Sequence, residues 1–248
     1  MLSTFIDALS REDALERIIG WAKSRLPRYI CLCNVHSVVH ADKDRSLQEA
    51  LRSADLCIPD GAPIAWRLRR QGYPVQRRIA GPDLARELFS VSEKTGIQVF
   101  LYGGEEVTLR AFKAVLVNDF PDLQISGMIS PPFMDFASYD CTADIEAINN
   151  SGAALVFLGL GCPKQERWMK ANGERLRATC IGVGAAFDFL SGRKPRAPVW
   201  MQENGLEWLH RLLSEPRRLA SRYLVTNSLF VFAMIKRMLG SWGRSSKF

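Results

Sequence analysis

Residues able to bind ligands or move protons recur at one kind of place in this chain, directly after an apolar run. In CIPDGAP (57–63) the acid is Asp60, followed by Gly61. A carboxylate at a strand end that faces a crevice can take a proton from a hydroxyl nucleophile. Asp-Gly is also ordinary turn chemistry, and Asp60 could instead cap the next helix. In NVHSVVH (34–40), Asn34 could fix sugar hydroxyls or satisfy loop backbone, and His36 could lie in the same crevice. GLGCPKQE (159–166) offers Gly159 and Gly161 for a tight turn and Pro163 to start a helix. Lys164 adds a charge beside the free N–H groups of that helix, and Gln165, next to Glu166, can both donate to and accept from a hydroxyl or carbonyl. The stretch lacks the third glycine of a dinucleotide fingerprint and the closing Gly-Lys-Ser/Thr of a phosphate loop. A plain strand-to-helix turn with a solvated first turn has the same spacing. Gly103-Gly104 and residues 184–188, which end on Asp188, complete the set. No nucleophile elbow carries a Ser or Cys, and no His/Cys cluster has zinc spacing.

The elements that must position these groups are six short apolar runs: YICLCNV (29–35), ADLCIP (54–59), QVFLYG (98–103), LQISGM (123–128), ALVFLG (154–159) and ATCIGVG (178–184). Helical stretches alternate with them, which predicts an α/β fold with a mostly parallel, Rossmann-like sheet and helices on both faces. Helix starts are expected at Asp42, at Gly81-Pro82-Asp83, after Gly103-Gly104 and at Pro163. Ligands of open parallel sheets bind beyond the carboxyl ends of the strands, so the polar residues should converge on one crevice.

A chain of 248 residues suits one large domain with a small appendage. The character changes near residue 192, which suggests an α/β core over 1–195 and a helical basic appendage over 196–248. Residues 193–248 hold 11 Lys/Arg against 3 Asp/Glu, so the net charge of +7 belongs to this end. An anionic membrane surface, a diphosphate or nucleic acid would each attract it. Residues 224–235 carry no charge but are too few to span a bilayer, which needs about 20. They suit a buried helix or one lying in the membrane interface. Arg211, Arg218 and Arg222 share a helix face, a clamp for a diphosphate, provided the helix is unbroken at Pro216. The six cysteines lie mostly in apolar runs and read as reduced core residues of a cytosolic protein, and the N-terminus reads as an amphipathic helix and not a signal peptide.

Taken together, NVHSVVHADKD (34–44), ADLCIPDGAPIAW (54–66), IAGPDL (79–84), FLGLGCPKQERWM (157–169), IGVGAAFDFLSGRKPRAP (181–198) and GLEWLHRLLSEPRRLASRYL (205–224) resemble the WecG/TagA/CpsF group of bacterial glycosyltransferases, glycosyltransferase family 26. The resemblance implies inverting transfer of a sugar from a UDP-sugar to a polyprenyl-diphosphate-linked sugar, without a metal or other cofactor, at the cytoplasmic face of the bacterial inner membrane. It implies Asp60 as catalytic base, Asn34 and Gln165 near the transferred sugar, and Arg211 and Arg218, with Arg222, over the diphosphate. Where many of the group have Thr-x-Asn, this chain reads Leu32-Cys33-Asn34, so the hydroxyl is missing, which weighs against the N-acetylmannosaminyl specificity and brings in the exopolysaccharide glucosyltransferases of the group as an alternative.

A non-catalytic nucleotide-sugar-binding regulator would use the same crevice without releasing UDP. A nucleic-acid-binding protein would leave Asp60 and Gln165 without purpose, and no recognition motif for nucleic acid is present. A homo-oligomer is compatible with the sequence.

Overall fold

A computed structural model of the chain describes residues 4–132, 139–217, 219–220, 226–230 and 232. Six parallel strands form one sheet: β1 (Tyr29–Cys33), β2 (Leu56–Pro59), β3 (Val99–Tyr102), β4 (Ile125–Ile129), β5 (Leu155–Leu158) and β6 (Thr179–Gly182), in the order β2-β1-β6-β5-β3-β4. All six lie where the apolar runs predict them. β1, β3, β5 and β6 are buried along their whole length because helices cover both faces, which is why they read as continuous apolar runs. β2 is an edge strand, yet it is equally buried. The segment before the first helix covers it: Asp7 donates its N–H to the Cys57 carbonyl (2.9 Å) and accepts from the Cys57 N–H (2.7 Å). The edge is thereby closed to other strands.

The helices, in chain order, are α1 (Arg11–Lys23), α2 (Val35–Ala41), α3 (Arg45–Arg52), α4 (Ala62–Arg69), α5 (Gly81–Thr95), α6 (Glu106–Asp119), α7 (Thr142–Asn150), α8 (Lys164–Asn172), α9 (Ala186–Leu190), α10 (Val199–Glu203) and α11 (Glu207–Ser214). One core unites α1, α5, α6 and α9 with one sheet face, and there Phe89 packs on Phe157 with ring centres 4.3 Å apart. The other unites α2, α3, α7 and α8, with Tyr102 against Trp168 at 4.7 Å.

Two local expectations change. Asp42 ends α2 and does not start a helix, because Asn34 already caps α2 in a reciprocal capping box with Ser37. It is Asp44 that caps α3, accepting from Leu47 N (3.1 Å). The second change is at Pro216: Glu215, the residue before it, leaves the helical region at φ −134° and ψ 60°, and α11 stops at Ser214. The condition for one continuous face of Arg211, Arg218 and Arg222 is not met, and Arg218 and Arg222 themselves lie outside the described residues. Half of the uncharged run 224–235, residues 224–225, 231 and 233–235, also lies outside them.

The crossover after β3 passes α6 on one face, and that after β5 passes α8 on the other. The loops after these neighbouring strands therefore part to opposite sides, a topological switch point that opens a crevice at the carboxyl ends.

Candidate active site

At the end of β2, Asp60 donates its backbone N–H to the Cys33 carbonyl (2.9 Å). Gly61 follows with φ +114°, a conformation glycine adopts without penalty, and it caps α4 with no side-chain bond. Asp60 is therefore not the helix cap. Its carboxyl is raised to about 6, first by burial, which disfavours the charged form. Arg78 opposes that rise, Glu207 adds to it, Arg211 opposes it and Asp83 adds to it. A carboxyl titrating at about 6 is mostly deprotonated near physiological pH yet more basic than a free carboxylate, as a general base requires.

Two ion pairs frame this acid. Arg78 pairs with Glu207 of α11, and Arg196 holds Asp83 by two parallel bonds of 2.6 and 2.8 Å. Arg211, also on α11, lies over the Phe189 ring at 5.2 Å, and its buried Nε has no hydrogen-bond partner among the described residues. Three guanidinium groups thus surround Asp60 electrostatically, and they belong to segments far apart in sequence. Asp60 and Arg211 are expected as site residues from the sequence, whereas Arg78, Asp83, Arg196 and Glu207 join the site only in the folded chain. No spacing rule links positions 78 and 207, which only the packing of α11 on the core brings together.

Asn34 is the neighbour of this group across β1. A Cβ placed on Gly61 would lie 3.8 Å from the Asn34 Cβ. Its Oδ1 accepts from Ser37 N (3.2 Å), which leaves the amide NH₂ for a ligand. His36 sits in the first turn of α2 with its ring stacked on His40 at 5.5 Å.

The switch point, between β5 and β3, lies farther along the sheet, about 14 to 19 Å from β2 at the usual strand spacing. There Gly103 (φ +107°) packs on Gly159 so closely that a Cβ would lie 2.8 Å from the Gly159 carbonyl carbon. Gly159 in turn lies under Phe187, 2.5 Å from where its own Cβ would stand. The turn then runs through Gly161 (φ +78°) and a cis Cys162-Pro163 bond into α8, where Lys164 is partly exposed. Gln165 turns inward beneath the ends of β5 and β6, donating from Nε2 to Glu166 Oε1 (3.1 Å) and to the Gly182 carbonyl (3.4 Å). Glu166 is fully buried, and burial pushes its carboxyl up. The Gln165 Oε1 and Glu166 Oε2 atoms have no hydrogen-bond partner among the described residues. Asp188 pairs with Lys194 at 2.9 Å, on the α9 side of the same strand ends.

The one Asp-x-Asp sequence, Asp42-Lys43-Asp44, has other commitments. Asp44 caps α3 and pairs with Arg167, and Asp42 ends α2. Among the described residues no group of three or more His, Cys, Asp or Glu side chains is arranged to hold a metal. No described helix is long and apolar enough to cross a membrane.

The strand ends thus carry an acid of raised basicity among guanidinium groups at β2 and, farther along the sheet, a glycine-lined turn pair with the inward-facing Gln165 amide. It suits deprotonation of a hydroxyl beside an anionic leaving group. Residues 1–244 match the model of the glycosyl transferase WecG/TagA/CpsF family. The chain is 31% identical over 219 residues to the N-acetylglucosaminyldiphosphoundecaprenol N-acetyl-beta-D-mannosaminyltransferase of Bacillus subtilis (strain 168), covering 88% of this chain and 80% of the relative. It is 30% identical over 209 residues to the protein of the same description from Bacillus spizizenii, covering 84% and 79%.

Proposed function

The chain belongs to the glycosyl transferase WecG/TagA/CpsF family, and from that premise we propose that it transfers a hexose from a UDP-sugar, with inversion, to a saccharide linked to a polyprenyl diphosphate. Asp60 takes the proton of the acceptor hydroxyl as its oxygen attacks the anomeric carbon. The new C–O bond forms on the face opposite the bond that breaks, and UDP leaves with the electron pair of the old one. The guanidinium groups of Arg78 and Arg211, with Arg218 and Arg222 from outside the described residues, balance the charge that develops on the diphosphate. Asn34 and Gln165 bind the transferred sugar, Lys164 and the Gly103 and Gly159 turns border the nucleotide, and Glu166 orients Gln165 from below. In this reading residues 1–195 are the catalytic core and 196–248 close the site and grip the cytoplasmic face of the inner membrane.

The observation that carries the reading is the raised Asp60 carboxyl among arginines at a strand end. Two donors fit. UDP-N-acetylmannosamine would agree with the named activity of both relatives, and UDP-glucose is compatible with Leu32, which packs against Gly81 and supplies no hydroxyl where many of the group have Thr. The test is a panel of UDP-sugars incubated with lipid-linked acceptors in EDTA and scored by product mass. The expected result is one dominant hexosyl product with undiminished yield in chelator. UDP-sugar binding without product from any donor would support a regulator, and loss in EDTA restored by magnesium would remove the metal-free route.

A base must be deprotonated to act, so kcat/KM is expected to fall as pH drops through about 6. Glu207→Gln removes an acid that raises the Asp60 carboxyl and frees Arg78, which lowers it. Both effects have the same sign. The acid limb of the profile is expected to move down by roughly half a pH unit, and an unmoved or upward-shifted limb would break the link between Glu207 and the base.

A further inference from the structure

We propose that the segment running from Trp66 to Arg77, beside Asp60, is a docking surface for an anionic lipid bilayer that acts independently of the basic C-terminal region. The inference rests on the proposed transfer to a lipid-linked acceptor, because such an acceptor must reach Asp60 from a membrane. Between Asp60 and Asp83 the chain holds five arginines, at 67, 69, 70, 77 and 78, and no acid. Arg78 turns into the site and pairs with Glu207, whereas Arg69, Arg70 and Arg77 are exposed, and this single sign of exposed charge selects an anionic partner.

Apolar side chains stand out among these arginines. α4 buries Ile64, Ala65 and Leu68 against the core, which leaves Trp66, Arg69 and Arg70 on its outer side. Trp66 is 38% exposed and carries Arg70 over its ring at 5.0 Å. Tyr73 is 51% and Val75 88% exposed in the loop that follows. That loop is held firmly. Gln76 is buried and donates to the Leu9 carbonyl (2.9 Å) and the Arg77 carbonyl (2.8 Å), while Arg69 donates to the Gln76 carbonyl (2.9 Å). Tyr73 and Val75 are thus presented to solvent by a braced loop.

Aromatic and aliphatic tips between arginines match the boundary between headgroups and acyl chains. A second copy of the chain fits poorly, because a self-complementary contact would set these arginines against their own counterparts.

The test uses the full chain, with sedimentation on vesicles of phosphatidylglycerol and phosphatidylcholine or of phosphatidylcholine alone. Tyr73→Ala with Val75→Ser is expected to weaken partitioning onto the anionic vesicles about fivefold to tenfold. Arg70→Gln with Arg77→Gln is expected to weaken it about tenfold, while leaving the weak binding to phosphatidylcholine unchanged. Both double variants should melt as the wild type does and release UDP at the wild-type rate with a water-soluble acceptor. Wild-type partitioning by both would overturn the proposal, as would an altered oligomeric state with unaltered partitioning, which would assign the surface to a second copy. Partitioning is read without any sugar donor, so its failure counts against this surface and not against the transfer reaction.

Discussion

Asp60→Asn is expected to lower kcat at least about a hundredfold, the usual cost of removing a general base, while UDP binds within about twofold of the wild-type affinity. Asn keeps the shape and the hydrogen-bonding reach of Asp but cannot take the proton. The same variant carries a stability signature. The folded-state carboxyl lies at about 6, above its ordinary value of 3.8, so the fold favours the neutral form. Its contribution to stability is fully present below pH 4 and is lost as pH rises through about 6. The Asn variant has no such loss, and at pH 8 it is expected to melt above the wild type. Thermal unfolding at pH 4 and pH 8, beside turnover and UDP titration, checks both halves. Near-normal turnover would remove Asp60 from the chemistry.

Gly103→Ala is expected to destabilise the protein by about 3 kcal/mol and to weaken UDP binding at least about tenfold. At φ +107° an L side chain is strained, and its Cβ would lie 2.8 Å from the Gly159 carbonyl carbon and 3.1 Å from the Gly159 nitrogen. Backbone cannot rotate aside as a flexible side chain can, so the two turns that border the crevice must separate. Gly161→Ala is the contrasting case. It has a positive φ of +78° but nothing within 4 Å of the added Cβ, and about 1 kcal/mol of strain is the expected loss. Equal melting temperatures for the two variants would show that the Gly103 contact with Gly159 does not hold the turns together.

Most strands were readable because both faces of the sheet are covered there, which turns β1, β2, β3, β5 and β6 into short apolar runs, whereas the edge strand β4 is only half-buried. Their ends were less so. Val35 continues the apolar run of β1, but the capping box of Asn34 and Ser37 ends the strand at Cys33 and puts Val35 into a helix. That box follows the pattern of a cap residue with a hydroxyl three positions on, and could have been seen. The site shows a similar division. Asp60 and Gln165 stand directly after strands, where the topology of a parallel sheet directs attention. The Arg78 and Glu207 pair and the Asp83 and Arg196 pair join segments 129 and 113 residues apart. These contacts arise where α11 and the loop before α10 meet the segment before α5 and α5 itself, which local pattern does not encode. For Asp60 itself, the choice between cap and base turned on Gly61, whose positive φ starts α4 without help from the carboxylate.

The central claim is that Asp60 activates the acceptor hydroxyl for a single displacement at the anomeric carbon. The most direct test is the anomeric configuration of the purified product, made from an α-linked UDP-hexose and read from the one-bond C1–H1 coupling by NMR. The account predicts a β linkage, formed by one inversion. An α linkage would require two displacements or front-side attack, and would contradict it.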